Sequence, residues 1–283
     1  MADVQEFRYR SPHRVPGWHT GSHAGTAPGA GLQFATHLRL QDHPDPRRLD
    51  LRASIANLRS EWLVRVNRQQ AAMTVRLLVD VSASMRFGTP TKLEVAAGFA
   101  QALGQSAFRV GDAVAMAAFD RAERPDLRVG AWRHRGMGEM LAALLLQSRG
   151  GAGGIEGLRE AAALFAGRGG IVFLVSDFQW PLDGLPGVLD ALAPAHVVPL
   201  VVWDAAEVEP PAGDGLAMLR DAETGRSRTL WLRPVLRGRW REAVSERRSA
   251  LDRLFGARGL RPFYLQGTFD AQALTNHLCE LEA

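Results

Sequence analysis

The 283-residue sequence is 46% hydrophobic and 23% charged, the balance of an ordinary globular protein with room for one sizeable core plus extra segments. Its formal charge is +4, and among 34 basic side chains Lys92 is the single lysine. The arginines are interspersed with acids rather than gathered on one stretch, which argues against nucleic-acid binding.

The apolar runs Ile171 to Val175 and Val197 to Trp203 are far shorter than the ~18–20 residues that span a bilayer, so no transmembrane segment is expected. The opening MADVQEFRYRS has no apolar stretch that would serve as a signal peptide, and the expected location is the cytoplasm. Cys279 is the only cysteine, which excludes an intrachain disulfide. Its place on an apolar C-terminal helix face makes it an expected core residue.

In chain order, Ser11 to Gly31 mixes Pro, Gly, Ser and His without periodicity and is expected to be irregular, as is Gln41 to Asp50. Glu61 to Val66 alternates like a strand. Val75 to Val79 is an apolar run ending in Asp80, as a buried parallel strand would be. Leu93 to Phe108 has helical spacing of apolar residues. Strands are expected at Ala113 to Phe119 and Asp126 to Trp132, then a helix from about Gly138 to Gln147. The loop Gly150-Gly-Ala-Gly-Gly154 leads into a helix ending near Phe165. Ile171 to Val175 is a strand ending in Ser176-Asp177, followed by a short helix near Leu185 to Leu192 and a strand from His196 to Val202. The tail predicts a hairpin (Leu216 to Asp221 against Ser227 to Leu232, turning on Glu223-Thr-Gly225), a helix from Pro234 to about Phe255, a strand at Arg261 to Leu265 and a helix from Asp270 to Leu281. Alternating strands and helices imply an α/β fold, with a mostly parallel sheet covered by helices on both faces.

The sharpest chemical feature is Asp80-Val-Ser82-Ala-Ser84, between a buried strand and a helix. In open α/β sheets ligands gather beyond the carboxyl ends of the strands, where Asp80 and Asp177 both fall. One carboxylate and two hydroxyls at i, i+2 and i+4 on a tight loop can converge on a hard dication such as Mg2+. They can equally cap the next helix through bonds to backbone N–H groups.

This pattern resembles the metal-ion-dependent adhesion site of von Willebrand factor A-like domains, Asp-x-Ser-x-Ser with a later Thr and a later Asp. Asp80, Ser82 and Ser84 match the first part and Asp177 the later Asp, whereas the Thr position reads Ala152 in Gly150-Gly151-Ala152. The resemblance implies a Mg2+ site on Asp80, Ser82, Ser84 and Asp177, lacking one hydroxyl ligand. A wider likeness covers nearly the whole chain. It resembles a bacterial von Willebrand A-like family encoded beside MoxR-type AAA+ ATPases, through Asp45-Pro46-Arg47-Arg48-Leu49-Asp50-Leu51, Val64-Arg65-Val66, Ser84-Met85-Arg86-Phe87-Gly88 and Asp221-Ala-Glu-Thr-Gly225. Leu51 stands where that family usually has Trp. Within the family, the short form without N-terminal membrane helices is similar to accessory proteins of methanol oxidation.

The resemblance implies a von Willebrand A-like, Rossmann-like core over residues 71–205. A loop-rich segment with the Asp-Pro-Arg-Arg motif (1–70) precedes it, and a hairpin, helix, strand and helix (206–283) follow. It also implies a non-enzymatic protein-interaction module that works with a MoxR-type ATPase on a client complex, in the accessory case methanol dehydrogenase. The partner-binding residues would be Asp80, Ser82, Ser84, Gly151 and Asp177, together with Arg47 and Arg48. For those two arginines an intrachain ion-pair clamp and a docking surface both stand. The competing reading is a metal-dependent hydrolase on the same loop, which would need an activated water and a base that the motif does not supply. There is no Gly-x-Ser-x-Gly elbow and no P-loop. His13, His19, His23, His37 and His43 are read as solvated loop residues, and Trp132, Trp203 and Trp231 as core or interface anchors.

Overall fold

The computed structural model describes residues 6–15, 20–29, 33–222 and 225–280. These fall into two compact units, one built from residues 11–73 and the other from 6–10 with 74–280. His19, Glu223, Thr224 and Leu281 lie outside the described residues.

In the first unit, β1 (Thr20–Gly29), β2 (Gln33–Arg39) and β3 (Leu63–Ala71) form an antiparallel sheet in the order β1-β3-β2. A short helix, α1 (Leu51–Ala56), follows a single 3-10 turn at Pro46–Arg48. The expectation of an irregular Ser11 to Gly31 is therefore corrected. β1 is rich in Gly, Ser, Thr and Ala, shows no apolar alternation, and pairs through two register shifts. It is an edge strand, where Pro28 is tolerated because one side needs no donor. At Gly25 a Cβ would lie 2.5 Å from the Gln69 carbonyl oxygen, so the two backbones approach as only glycine permits.

The second unit is a mixed α/β structure. Its elements are β4 (Thr74–Asp80), α2 (Lys92–Val110), β5 (Ala113–Phe119), β6 (Glu123–Trp132), α3 (Met137–Gln147), α4 (Ile155–Ala163), β7 (Gly170–Ser176), α5 (Leu185–Ala191), β8 (Ala195–Trp203), α6 (Ala205–Val208), β9 (Gly215–Arg220), β10 (Ser227–Leu232), α7 (Pro234–Gly256), β11 (Phe263–Gln266) and α8 (Ala271–Glu280). The central sheet runs β11-β8-β7-β4-β5-β6, parallel except for the antiparallel edge strand β6. β4, β5, β7 and β8 are mostly apolar, interrupted by Arg76 in β4 and His196 in β8, because both faces are covered. On one face Leu78, Val172 and Leu174 pack with Leu158 of α4, Leu189 of α5 and Phe255 of α7. On the other, Phe173 meets Phe99 of α2 at 5.2 Å between ring centroids.

α2 is delimited as its sequence dictates. A capping box joins Thr91 and Glu94 at its start, and Gly111 (φ 89°) closes it in the left-handed region. β9 and β10 pair as the predicted hairpin, from Gly215↔Leu232 to Arg220↔Ser227.

Residues 6–10, expected within a separate N-terminal segment, belong to this unit. Phe7 is buried and its ring stacks on Phe99 at 5.7 Å and meets Phe173 at 6.0 Å, while the Tyr9 hydroxyl donates to Asp112 at 2.9 Å. Cys279 is exposed, against the expectation of a core position. The buried stripe of α8 runs through Ala271, Leu274 and Leu278, and Cys279 is turned one step off it. Trp203 is a core residue, whereas Trp132 (69% exposed) and Trp231 (54%) are not. His23 is buried and its Nδ1 accepts the Ser11 N–H at 3.3 Å, so it is not the solvated residue expected.

Candidate functional site

β4 is followed by a crossover to β5 on one side, while β7 returns on its other side. The strand order therefore reverses between β4 and β7, the switch point whose crevice at the carboxyl strand ends takes ligands in open α/β sheets. Asp80 is the last residue of β4, and Ser176-Asp177 closes β7. All three are fully buried.

Hydrogen bonds fasten three loops together here. Asp80 Oδ1 accepts the Ser82 N–H at 2.9 Å. Its Oδ2 accepts the Ser176 hydroxyl at 2.7 Å and the Trp180 indole N–H at 3.1 Å. Ser82 and Ser84 bond through their hydroxyls at 3.1 Å. Burial first, and the Asp177 charge second, push the Asp80 carboxyl up to about 6, against the pull of the bonds from Ser82 and Ser176.

The glycine loop docks against the motif loop. The Ala83 N–H donates to the Gly151 carbonyl at 2.8 Å, and the Gly151 N–H donates to Asp120 Oδ2 at 3.1 Å. A Cβ on Gly150 would lie 1.9 Å from the Val81 carbonyl oxygen, so this position requires glycine for close approach. Ala152, at the expected Thr position, is exposed at the loop tip. Gly88 has φ 102°, and a Cβ there would meet the Asp204 carboxylate at 2.5 Å, which explains the glycine ending the Ser84–Gly88 stretch.

Asp177 is held by a residue that the sequence reading did not include. The Lys92 ammonium donates to Asp177 Oδ2 at 2.6 Å and to Glu207 Oε1 at 2.7 Å. Its side chain is 2% exposed, that of Asp177 0% and that of Glu207 25%. Burial alone would lower the Lys92 pKa; the two carboxylates outweigh it and leave the group above its ordinary value, a cation at neutral pH. The single lysine of an arginine-rich chain thus sits as a compact ammonium between two carboxylates. That lone lysine, at the first turn of a capped helix, was the signal available for finding it. Glu207 left a weaker trace, as the third residue of the Asp204 capping box that starts α6.

The turn after Asp177 is strained and braced. Phe178 has φ 51°, rare for a bulky residue, and its N–H donates to the Ser176 hydroxyl at 2.9 Å. The Trp203 indole donates to the Asp177 carbonyl at 2.9 Å. From α7, Arg247 Nε donates to the Phe178 carbonyl at 3.1 Å and a second guanidinium nitrogen reaches the Trp180 carbonyl. Trp180 and Arg247 carried no signal in sequence, because they act through backbone atoms and shape.

Arg47 and Arg48 lie in the other unit. Asp45 caps their 3-10 turn by accepting the Arg47 N–H at 3.2 Å and pairs with Arg48 at 3.3 Å. Asp50 caps α1 through the Ala53 N–H at 3.0 Å and meets His37 at 3.0 Å. The Asp-Pro-Arg-Arg-Leu-Asp stretch thus sets two successive helix starts, with the Arg47 side chain exposed. Among the described residues no group of three or more His, Cys, Asp or Glu side chains is placed to hold a metal ion, and no helix is long and apolar enough to cross a membrane.

An uncharacterized protein in the moxR 3' region of Paracoccus denitrificans is 37% identical over 92 residues, 32% of this chain and 88% of that protein. The uncharacterized protein Mb1516 of Mycobacterium bovis is 27% identical over 240 residues, 82% of this chain and 74% of that protein. Among solved structures, the conserved hypothetical protein BatB from Bacteroides thetaiotaomicron aligns with a TM-score of 0.45 at 17% identity, covering 74% of this chain and 98% of BatB. An aerotolerance-related membrane protein from Bacteroides fragilis gives 0.46 at 14% identity, covering 75% of this chain and 98% of that one. The family model described as a protein of unknown function, DUF58, matches residues 44–250, and the chain belongs to that family.

Proposed function

We propose that this protein is a non-enzymatic interaction module that docks a MoxR-type AAA+ ATPase through the rim at the carboxyl ends of β4 and β7. On this reading it takes part in maturing or activating a client complex, methanol dehydrogenase if the narrower likeness to the accessory protein MxaS holds. The observation that carries the reading is the rim itself. The motif loop, the glycine loop and the Ser176–Trp180 turn are locked together by hydrogen bonds, and no buried side-chain nitrogen or oxygen among the described residues lacks a partner. A surface assembled in advance suits binding, since little ordering remains to be done on association. The Ser176 hydroxyl donates to the Asp80 carboxylate at 2.7 Å, but both groups are wholly buried and Ser176 also accepts the Phe178 N–H at 2.9 Å, an arrangement that supports a structural role over hydrolysis. That a relative lies in a moxR 3' region supports a MoxR-type ATPase as the partner.

The rim residues fall into two kinds. Asp80, Ser82 and Asp177 are buried and build the surface; Ser84, Gly151 and Ala152 are the ones a partner can touch. Alanine at Asp80 would therefore disturb the fold and the site together. Ala152→Arg is cleaner, because it adds bulk at an exposed tip without removing any bond. With the purified cognate ATPase and Mg-ATP, wild type is expected to co-elute in gel filtration. Ala152→Arg should lose the complex while melting at the wild-type temperature. Equal complex formation by both forms would move the interface away from this rim, and no complex with either would remove the ATPase from the proposal.

A further inference from the structure

The family resemblance implies a divalent ion on Asp80, Ser82, Ser84 and Asp177, and the donors of this chain do not fit one. Mg2+ requires about six oxygens near 2.1 Å in octahedral array. Both Asp80 oxygens already accept from Ser82, Ser176 and Trp180. Asp177 Oδ1 accepts the Gln179 N–H at 3.2 Å, and its Oδ2 is taken by the Lys92 ammonium at 2.6 Å. The two serine hydroxyls are turned to each other at 3.1 Å, and Ala152 offers no ligand oxygen on its side chain where the pattern calls for Thr. A dication bound to Asp177 Oδ2 would have to displace a positive charge held 2.6 Å from the same oxygen.

The ammonium is enclosed on several sides. Asp177 and Glu207 accept two of its protons, and the ring of Phe87, from the loop that continues the Asp-x-Ser-x-Ser motif, has its centroid 6.0 Å from Nζ. Gly88 next to Phe87 lets this loop close onto Asp204, whose capping box sets the start of α6 and so places Glu207. Three loops at the sheet's carboxyl edge thus converge on one side-chain cation.

We infer that the Lys92 ammonium is the resident cation of this crevice, taking the place against Asp177 that a divalent ion would take, and that the rim is assembled without metal. The inference concerns the crevice alone and stands whether or not the ATPase binds there.

Mn2+ is the probe, followed by the spectrum of the free ion in electron paramagnetic resonance. Added wild-type protein is expected to leave the free-ion signal intact, and millimolar Mg2+ or Mn2+ to leave the melting temperature unmoved. One-to-one, saturable uptake by wild type that Ser84→Ala abolishes would overturn the inference. Lys92→Met vacates the cation position while keeping the length of the side chain. It is expected to melt lower than wild type and, because Asp80, the two serines and Ala152 still offer no ligand set for a dication, to leave the free Mn2+ signal intact. A folded Lys92→Met that melts at the wild-type temperature would also overturn it. If Lys92→Met does not fold, the wild-type titration decides the matter by itself. Loss of ATPase binding in the Ala152→Arg experiment has no bearing on either readout, so failure of one proposal is distinguishable from failure of the other.

Discussion

Replacing Lys92 by Met leaves Asp177 as a wholly buried carboxylate without its cation, while Glu207, 25% exposed, can turn to water. Breaking a buried pair from one side costs about 3–5 kcal/mol, because the remaining charge is uncompensated. Met retains most of the stem, so lost packing adds little, on the order of 1 kcal/mol. Asp177→Asn removes the other partner and should cost somewhat less, roughly 2–4 kcal/mol, since Lys92 keeps Glu207. In the double variant Lys92→Met/Asp177→Asn no buried charge is left unpaired. The total loss should therefore fall short of the sum of the single losses by at least about 2 kcal/mol. Urea unfolding of the four proteins, read by tryptophan fluorescence and far-UV circular dichroism, measures this coupling. Losses that add to within about 0.5 kcal/mol would refute the argument, because they would mean that the ammonium and the carboxylate do not depend on each other for compensation.

Other expectations follow from the same geometry. Gly150→Ala would place a Cβ 1.9 Å from the Val81 carbonyl oxygen, so the glycine loop must move off the motif loop; a crystal structure of the variant with both loops unmoved would contradict this. Asp80, raised to about 6 from 3.8, favours the fold when protonated. Its contribution is full below the unfolded value and is lost as pH rises through the folded one, a change of up to roughly 3 kcal/mol. Wild type should therefore lose stability relative to Asp80→Asn between about pH 4 and pH 7.5, and parallel pH profiles in chemical denaturation would count against the shift. Phe7→Ala should destabilise by about 3–5 kcal/mol, because the ring lies in a cluster with Phe99, Phe173 and Phe269; a thermal melt unchanged from wild type would show that residues 6–10 do not carry the core.

The inner strands of the central sheet were legible because burial on both faces writes itself as short, mostly apolar runs. The crevice was half legible. Asp80 and Asp177 stand at strand ends, and strand ends can be read from where an apolar run stops. What Asp177 does was hidden, since its partner Lys92 lies 85 residues earlier, on a different element. No periodicity connects such a pair; only the topology brings α2 and β7 together. β1 was illegible for another reason. As an edge strand of small residues it is held by backbone pairing with β3, and backbone bonds leave no trace in side-chain pattern. Cys279 shows how sharp the limit is on a helix: one position away from the buried Leu278 is enough to turn a side chain outward.

The placement of Phe7 bears on how the protein can be divided. The family match covers residues 44–250, yet the aromatic cluster on the Phe99 side of the sheet draws Phe7 from before that span and Phe269 from after it. Nearby, the Arg8 N–H donates to the Thr275 hydroxyl at 3.1 Å, so residues 6–10 are stitched to α8. A fragment trimmed to the matched span would leave Phe99 and Phe173 facing water, an apolar wound of the kind that drives aggregation. The same adjacency offers the opposite design. Keeping residues 6–10 and 263–280 together with the matched span should keep this cluster whole.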